Sequence, residues 1–252
     1  MRHMTTRLLA LGDSAWTVEF GTDISIELNA QVMALANRIA QVRIDDPLFA
    51  TITDVVPTFR SLTVHFAPQT TDADTLGKQL LTLAQDSQPQ ATQGKHWRLP
   101  ACFDPSFAPD LSAWAQAKHM RETQLIQRML DTQFRVYMIG FLPGFPYMGG
   151  LAPELAMPRL ASPRQRVPAN SIAIAGEMCA VYPWESPGGW NLIGKTPVQL
   201  FDLRKTHQPA MLAAGDTVNW YAINTAEYER LLSQCRNGEL AREAFLASGE
   251  TA

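Results

Sequence analysis

The chain lacks the marks of several large protein classes. Its three cysteines, Cys102, Cys179 and Cys235, are odd in number and far apart. They offer neither a disulfide framework nor a zinc spacing. The five histidines (His3, His65, His96, His119 and His207) are scattered and show no metal-ligand spacing, so no metal site is expected. There is no block of Lys and Arg, and the net charge is −3. A nucleic-acid partner is therefore not expected, because neutralising phosphates takes clustered cations. No apolar run approaches the roughly 20 residues of a membrane span. The apolar part of MRHMTTRLLALGDSAW is too short for a signal peptide and has no small-residue cleavage site. These absences predict a cytoplasmic protein. Internal repeats, a Gly-x-Ser-x-Gly elbow and a Walker loop are also missing. The glycines of Gly140–Phe145 are interrupted by Pro143, which removes a dinucleotide loop as well.

What the chain does have is material for a core. It has 252 residues, 46% hydrophobic and 18% charged, enough for one large domain or two modest ones. Its most unusual stretch runs from Gly140 to Asp202. Six prolines (Pro143, Pro146, Pro153, Pro158, Pro163 and Pro168) fall between Gly140 and Asn170. Proline fixes φ and removes a donor, so neither a long helix nor a central strand is expected here. Gly144, Gly149, Gly150, Gly188 and Gly189 supply turns. Between these breakers lie Phe141, Phe145, Tyr147, Ile172, Ile174 and Trp190, which need burial. The pattern predicts rigid loops between short strands, with aromatic side chains packed beneath them, and sites tend to lie on such loops.

Around this stretch the pattern is regular. Arg7–Leu11 and Ala15–Phe20 read as strands joined by a turn at Gly12-Asp13-Ser14. Ile24–Val42 reads as a helix, capped by Ser25 or Asp23, with Leu28, Val32, Leu35, Ala36 and Ile39 at helical spacing. Ala50–Val56 and Leu62–Phe66 read as strands and Asp72–Gln85 as a second helix. Ser87–Gly94 is polar and reads as a linker. This order predicts an α+β domain over 5–88, two helices on a sheet. The second half begins with a strand at Lys95–Phe103, followed by helices at Pro109–Lys118 and Arg121–Leu130. Short strands are expected at Phe134–Ile139, Ser171–Ala175, Cys179–Tyr182, Val198–Phe201 and Asp216–Ile223. Many short strands with Gly/Pro turns indicate a mainly-β barrel or sandwich domain over 95–224. Residues 225–252 read as two peripheral helices, broken at Asn237-Gly238.

Candidate binding residues cluster in the proline-rich stretch. Arg159, Arg164 and Arg166 sit on loops braced by Pro158, Pro163 and Pro168. A guanidinium held this way can bind a carboxylate or phosphate through two parallel bonds, or pair with a nearby carboxylate and pin the loop. Asn170 and Ser171 can orient a small polar ligand or cap a local turn. Phe145, Tyr147 and Trp190 can wall a pocket or fill the core. Gly144, Pro168, Gly188 and Gly189 are expected to shape the loops, with Ser186–Trp190 forming a tight turn.

Three motifs in order carry a family resemblance: GFLPGFPYMGGL, PRLASPRQRVPANSIAIAG and YPWESPGGWNLIGKTPVQLFD. With GDSAWTVEFG and VVPTFRSLTVHF upstream, the chain resembles the carboxyltransferase C/D-type family up to about Ile223. Members include the PxpB component of 5-oxoprolinase, the kinase inhibitor KipI and allophanate hydrolase subunit 1. The resemblance implies a cyclophilin-like barrel after the α+β domain. It also implies a component of ATP-dependent 5-oxoprolinase that is not active alone. The implied partners are a paralogous protein of the allophanate hydrolase subunit 2 type (PxpC/KipA-like) and a lactam-utilising, PxpA-like protein. ATP would then bind at a site shared with the partners. The alternative that the family implies is a regulator acting on a sensor histidine kinase. Lys195 falls at a basic position of the LIG-basic-T motif, either as an anion contact or as an exposed lysine. The chain departs from the family pattern at Phe103–Ala108, Asp131-Thr132, Met178-Cys179 and Asn170. If the residues replaced at Asp131 or Met178-Cys179 contact substrate in active members, specificity or activity is changed here.

Overall fold

The structure is a computed structural model that describes residues 6–87 and 94–247. The chain divides into two compact units, residues 1–92 and 93–252. The linker expected at Ser87–Gly94 and the end of the expected C-terminal segment lie mostly outside the described residues.

The first unit contains β1 (Arg7–Ala10), β2 (Ala15–Glu19), α1 (Ile26–Val42), β3 (Ile52–Pro57), β4 (Ser61–Phe66) and α2 (Ala73–Asp86). Its sheet runs β1-β2-β4-β3, and each neighbouring pair is antiparallel. Both helices start where a side chain can accept a free amide. Ser25 Oγ takes Leu28 N, and Asp72 Oδ1 takes Thr75 N. Val32, Leu35 and Ile39 of α1 and Leu76 and Leu80 of α2 pack with Val18, Leu62 and Val64 of the sheet. The Glu19 carboxylate lies between Arg7 and Arg60, and the Arg7 hydrogen bond leads in holding its pKa below the usual carboxylate value.

The second unit is built on a closed barrel. Its elements are β5 (His96–Cys102), α3 (Leu111–Ala117), α4 (Glu122–Asp131), β6 (Gln133–Ile139), β7 (Pro146–Gly149), β8 (Arg164–Val167), β9 (Ser171–Ala175), β10 (Met178–Tyr182), β11 (Ser186–Gly188), β12 (Asn191–Lys195), β13 (Thr217–Ile223) and α5 (Thr225–Asn237). The barrel order is β10-β7-β6-β13-β5-β12-β9, while β8 and β11 form a separate two-stranded ribbon. Strands β9 and β10 are buried on both faces, as their unbroken apolar runs require. Ile172, Ile174, Cys179 and Val181 join the main core with Trp97, Phe134 and Trp220. The alternate residues Ala173, Ala175, Ala180 and Tyr182 join a second cluster with Phe145, Val167 and Trp190.

Several expectations are corrected here. Val198–Phe201 is not a strand. Phe201 makes only an isolated bridge to Ala210, and the segment follows Pro197. The barrel instead uses β12, whose ladder shifts register between Leu192 and Gly194. A Cβ at Gly194 would lie 3.0 Å from the Cys102 carbonyl oxygen, so the close approach of β5 there calls for glycine. A strand paired on both sides does run through the proline-rich stretch. Pro146 opens β7, which pairs with β6 and β10, and a proline at the first position need not break the ladder. Ser186–Gly188 is not a tight turn but a strand paired with β8. Past Gly238, which ends α5 in the left-handed region at φ 74°, the second expected helix is only a 3-10 turn at Arg242–Phe245.

One buried carboxylate ties the seam of the barrel. Asp216 Oδ1 accepts Lys95 N at 2.8 Å, and Oδ2 accepts Trp97 Nε1 at 2.9 Å and Ala213 N at 3.0 Å. Burial pushes its pKa up, while the three bonds oppose the shift. Replacing Asp216 with Ala leaves those donors unpaired and is expected to cost about 2–4 kcal/mol. Denaturant unfolding of the variant measures this, and an unchanged midpoint would show that the carboxylate does not hold the seam.

Candidate functional site

The ribbon β8–β11 positions the first charged group. Arg164 opens β8 opposite Gly188, directly after Pro163. A Cβ on Gly188 would fall 2.3 Å from the Tyr182 hydroxyl, so glycine lets the ribbon lie on that ring. Arg164 Nη2 donates to Asp110 Oδ1 at 2.7 Å. The other oxygen of Asp110 accepts Leu192 N at 2.6 Å, and Asp110 N donates to Leu192 O at 3.1 Å. Asp110 is thus fixed on β12 and in turn aims the guanidinium. The second terminal nitrogen, Nη1, is buried and has no partner among the described residues. A buried donor in that state favours an acceptor from outside the chain.

Around this guanidinium lies a cleft of about 290 Å³ lined by Ser106, Phe107, Pro109, Arg164, Arg166, Pro168, Ser171, Leu192 and Lys195. Ser171 and Lys195 are register partners on β9 and β12, so their backbones lie side by side. Ser171 Oγ donates to Pro168 O at 2.8 Å, which holds the hydroxyl oxygen in place. The Lys195 ammonium lies 5.4 Å from the Phe107 ring centroid. Burial leads in lowering its pKa, the nearby Arg236 charge adds to this, and Glu229 opposes it. Arg166 is outside this arrangement in one respect: it forms an exposed pair with Glu185 at 2.7 Å. The cleft thus presents one oriented guanidinium, one partly desolvated ammonium and hydroxyl groups, a set suited to an anionic oxygen ligand.

The other expected residues fall in two places. Asn170 adopts φ 64° and shapes the turn, with its N–H on Tyr182 O and its carbonyl accepting Thr196 N at 3.0 Å. Phe145, Tyr147 and Trp190 form an aromatic cluster, with Phe145 centroids 4.9 Å from Tyr147, 5.0 Å from Tyr182 and 6.0 Å from Trp190. Arg159 is exposed and lies over Trp190 at 5.9 Å. Gly144, at φ 78°, leaves room for Phe201, whose Cβ would sit 2.6 Å from an added Cβ. Tyr182 lies between the two groups: burial raises its pKa, and both Arg159 and Arg164 oppose the shift. Arg164, Pro168, Ser171 and Lys195 are therefore together in the cleft, whereas Phe145, Tyr147, Trp190 and Arg159 form the neighbouring aromatic wall. Sequence reasoning missed Asp110, Ser106 and Phe107. The only signal was the Pro109-Asp110-Leu111 run, which survives in an otherwise altered family segment. Of the departures, Asp131 bonds Gln127 and Thr132 bonds the Arg128 carbonyl, while Cys179 lies in the barrel interior. None of the three lines the cleft.

The architecture, a closed barrel with a cleft on its flank, has counterparts among solved structures. In fold it is similar to Kluyveromyces lactis urea carboxylase, with a TM-score of 0.77 over 92% of this chain and 23% of that one at 19% identity. Residues 6–212 match the family described as carboxyltransferase domain, subdomain C and D, and the chain belongs to that family. It is 34% identical over 232 residues to a 5-oxoprolinase subunit of Bacillus subtilis, covering 86% of this chain and 93% of that one. It is also similar to the solved structure of TTHA0988, with a TM-score of 0.71 at 30% identity over 83% of this chain. The chain spans 40% of the length of TTHA0988.

The depressed pKa of Lys195 has a direct check. After reductive methylation with labelled formaldehyde, its resonance is expected to titrate below the ordinary lysine value. A midpoint at the ordinary value would show that burial and Arg236 together do not depress it.

Proposed function

We propose that the chain is a subunit of an ATP-dependent 5-oxoprolinase, which opens the lactam of 5-oxo-L-proline to L-glutamate. The likeness to the Bacillus subtilis 5-oxoprolinase subunit supports the reaction. The single observation that supports the site is Arg164, half committed to Asp110 and carrying a buried Nη1 without a partner among the described residues. In this reading Nη1 and Lys195 hold the carboxylate of the substrate or the phosphorylated lactam, and Ser171 contacts the ring amide. A lactam amide is stable, so ATP would activate it by transferring its γ-phosphoryl group to the amide oxygen with release of ADP. Water would then attack the carbonyl carbon, phosphate would leave and the ring C–N bond would break to free the amine of glutamate. No Walker loop lies in the sequence, so the nucleotide would be held jointly with partner subunits. The partners in this reading are an allophanate hydrolase subunit 2-type protein and a lactam-utilising protein. The barrel would be cyclophilin-like and the chain inactive by itself.

The test is co-expression with those two partners, followed by ATP-dependent glutamate release, with this chain omitted as the control. Arg164→Ala is expected to lower turnover about 10- to 100-fold with the complex intact, the loss of a charge-assisted bond. Unchanged turnover and KM in that variant would refute the role of Arg164. Activity without this chain would refute the subunit reading.

A second reading, an inhibitor of a sensor histidine kinase, draws on Phe141. This aromatic residue is 63% exposed and held at φ 67°, a conformation unfavourable for a bulky side chain. Such strain on an exposed ring suits a protein contact. On this reading the chain binds a histidine-kinase dimerisation domain directly and Phe141→Ala weakens that binding. No binding at high micromolar concentration would eliminate it.

A further inference from the structure

A second cationic cleft lies at the other end of β5 from the Arg164 site. Ser106 and Phe107 of the first cleft follow β5, whereas Lys95 immediately precedes it. At about 3.3 Å per residue, the seven residues of β5 separate the two by roughly 20 Å. The second cleft has a volume of about 310 Å³, and its lining includes Lys95, Arg204, Lys205, His207, Arg242 and Glu243. Arg204, Lys205 and Arg242 also line an adjoining cleft of about 300 Å³.

This cationic surface is built on an ordered loop. Residues 202–208 leave and rejoin the barrel side by side: Asp202 N donates to Pro209 O at 2.9 Å, and Met211 N to Leu200 O at 2.8 Å. Within the loop Lys205 N donates to Asp202 O at 3.1 Å and Gln208 N to Lys205 O at 3.1 Å. Arg242 braces it from the C-terminal 3-10 turn, its Nη1 donating to Gln208 O at 2.8 Å. The loop therefore presents Arg204, Lys205, Thr206 and His207 in succession on a closed frame.

The charges do not cancel. Arg204 is chelated by Asp202 through Nε and Nη2, at 2.9 to 3.2 Å. That pair is neutral as a unit. Lys95, Lys205 and Arg242 remain against two carboxylates, Glu243 on the lining and the buried Asp216 beside Lys95, which leaves an excess of positive charge. The Lys95 ammonium lies 5.7 Å from the Trp97 ring centroid, and Lys95 and Lys205 are both exposed. Three cations facing one opening repel each other, and a multiply charged anion between them relieves that repulsion. Two lysines and an arginine that is already anchored by a backbone carbonyl suit a compact anion with several oxygens better than one planar carboxylate.

We propose that this cleft binds the diphosphate or triphosphate group of a small molecule. Lys95 and Lys205 are its point-charge contacts, Arg242 sets the loop that carries Lys205, and Thr206 and His207 add hydrogen-bond donors. The proposal rests on the cations of this cleft alone and not on the Arg164 cleft, to which the 5-oxoprolinase reading assigns the lactam.

The test is calorimetric titration of the full chain with inorganic pyrophosphate. The expected result is binding that weakens as KCl is raised, since the contacts are exposed charges. Lys95→Ala combined with Lys205→Ala is expected to weaken that binding at least about tenfold, while Lys78→Ala, an exposed cation on α2, leaves it unchanged. Both lysines are exposed, and a melting curve checks that the double variant folds. Three results would overturn the proposal: no binding to the parent chain at millimolar pyrophosphate, full binding by the double lysine variant, or an equal loss of binding in Lys78→Ala.

Discussion

The barrel depends on the carboxylate of Asp216. Strands β5 and β13 are parallel neighbours, and β5 has only a single paired residue with β12 on its other side. Parallel neighbours cannot be joined by a tight turn, so their start must be aligned by something other than a hairpin. Asp216 does this with one side chain, joining the backbone before β5 to the turn before β13 and anchoring the Trp97 indole. A buried carboxylate is costly unless its oxygens are satisfied, and here three donors satisfy them. With that corner held, Cys102 lies opposite Lys195, and the end of β12 is in place to form the floor of the Arg164 cleft.

The cleft is a product of strands that are buried on both faces. Residues Ile172 and Ile174 fill the barrel, which frees Ala173 and Ala175 to carry an outer layer of Phe145, Tyr182 and Trp190. The small alanines let the rings approach the sheet. Gly188 then lets the β8–β11 ribbon rest on Tyr182, and the ribbon brings Arg164 to Asp110. The position of one guanidinium therefore follows from aromatic packing, a glycine and a carboxylate 54 residues away in sequence.

How much of this was legible beforehand varied with the range of the interactions. The α1 and α2 helices were readable because their apolar spacing is local; of the two caps expected for α1, Ser25 takes the role, and Asp72 caps α2. The short strands β9 and β10 were readable from apolar runs. Strand β12 was not, because Gly194 is there for the approach of β5, which no local pattern reports. Val198 and Leu200 looked like a strand because they are apolar and buried, yet burial alone does not supply a ladder. In the candidate site, Arg164, Ser171 and Lys195 stood out by residue type and family motif. Asp110 did not, because its role is a contact across the fold. The basic loop at 204–207 was missed for another reason: its cationic surplus appears only once Asp202 is seen to be occupied by Arg204 and once Lys95 and Arg242 arrive from distant segments.

The seam between β5 and β13 also bears on how the molecule is made. The bond from Lys95 N to Asp216 joins groups 121 residues apart, and the strands it aligns are the first and last of the barrel. During synthesis, β5 leaves the ribosome long before β13 exists. At about 5–20 residues per second it waits on the order of ten seconds for its neighbour. Until then Trp97 and Leu99, buried in the finished barrel, lack the strand that covers them. Barrel closure is consequently a late event with a high loop-closure cost, and the nascent second unit has a period of exposure to chaperones and to mispairing that the α-helical elements around it do not share.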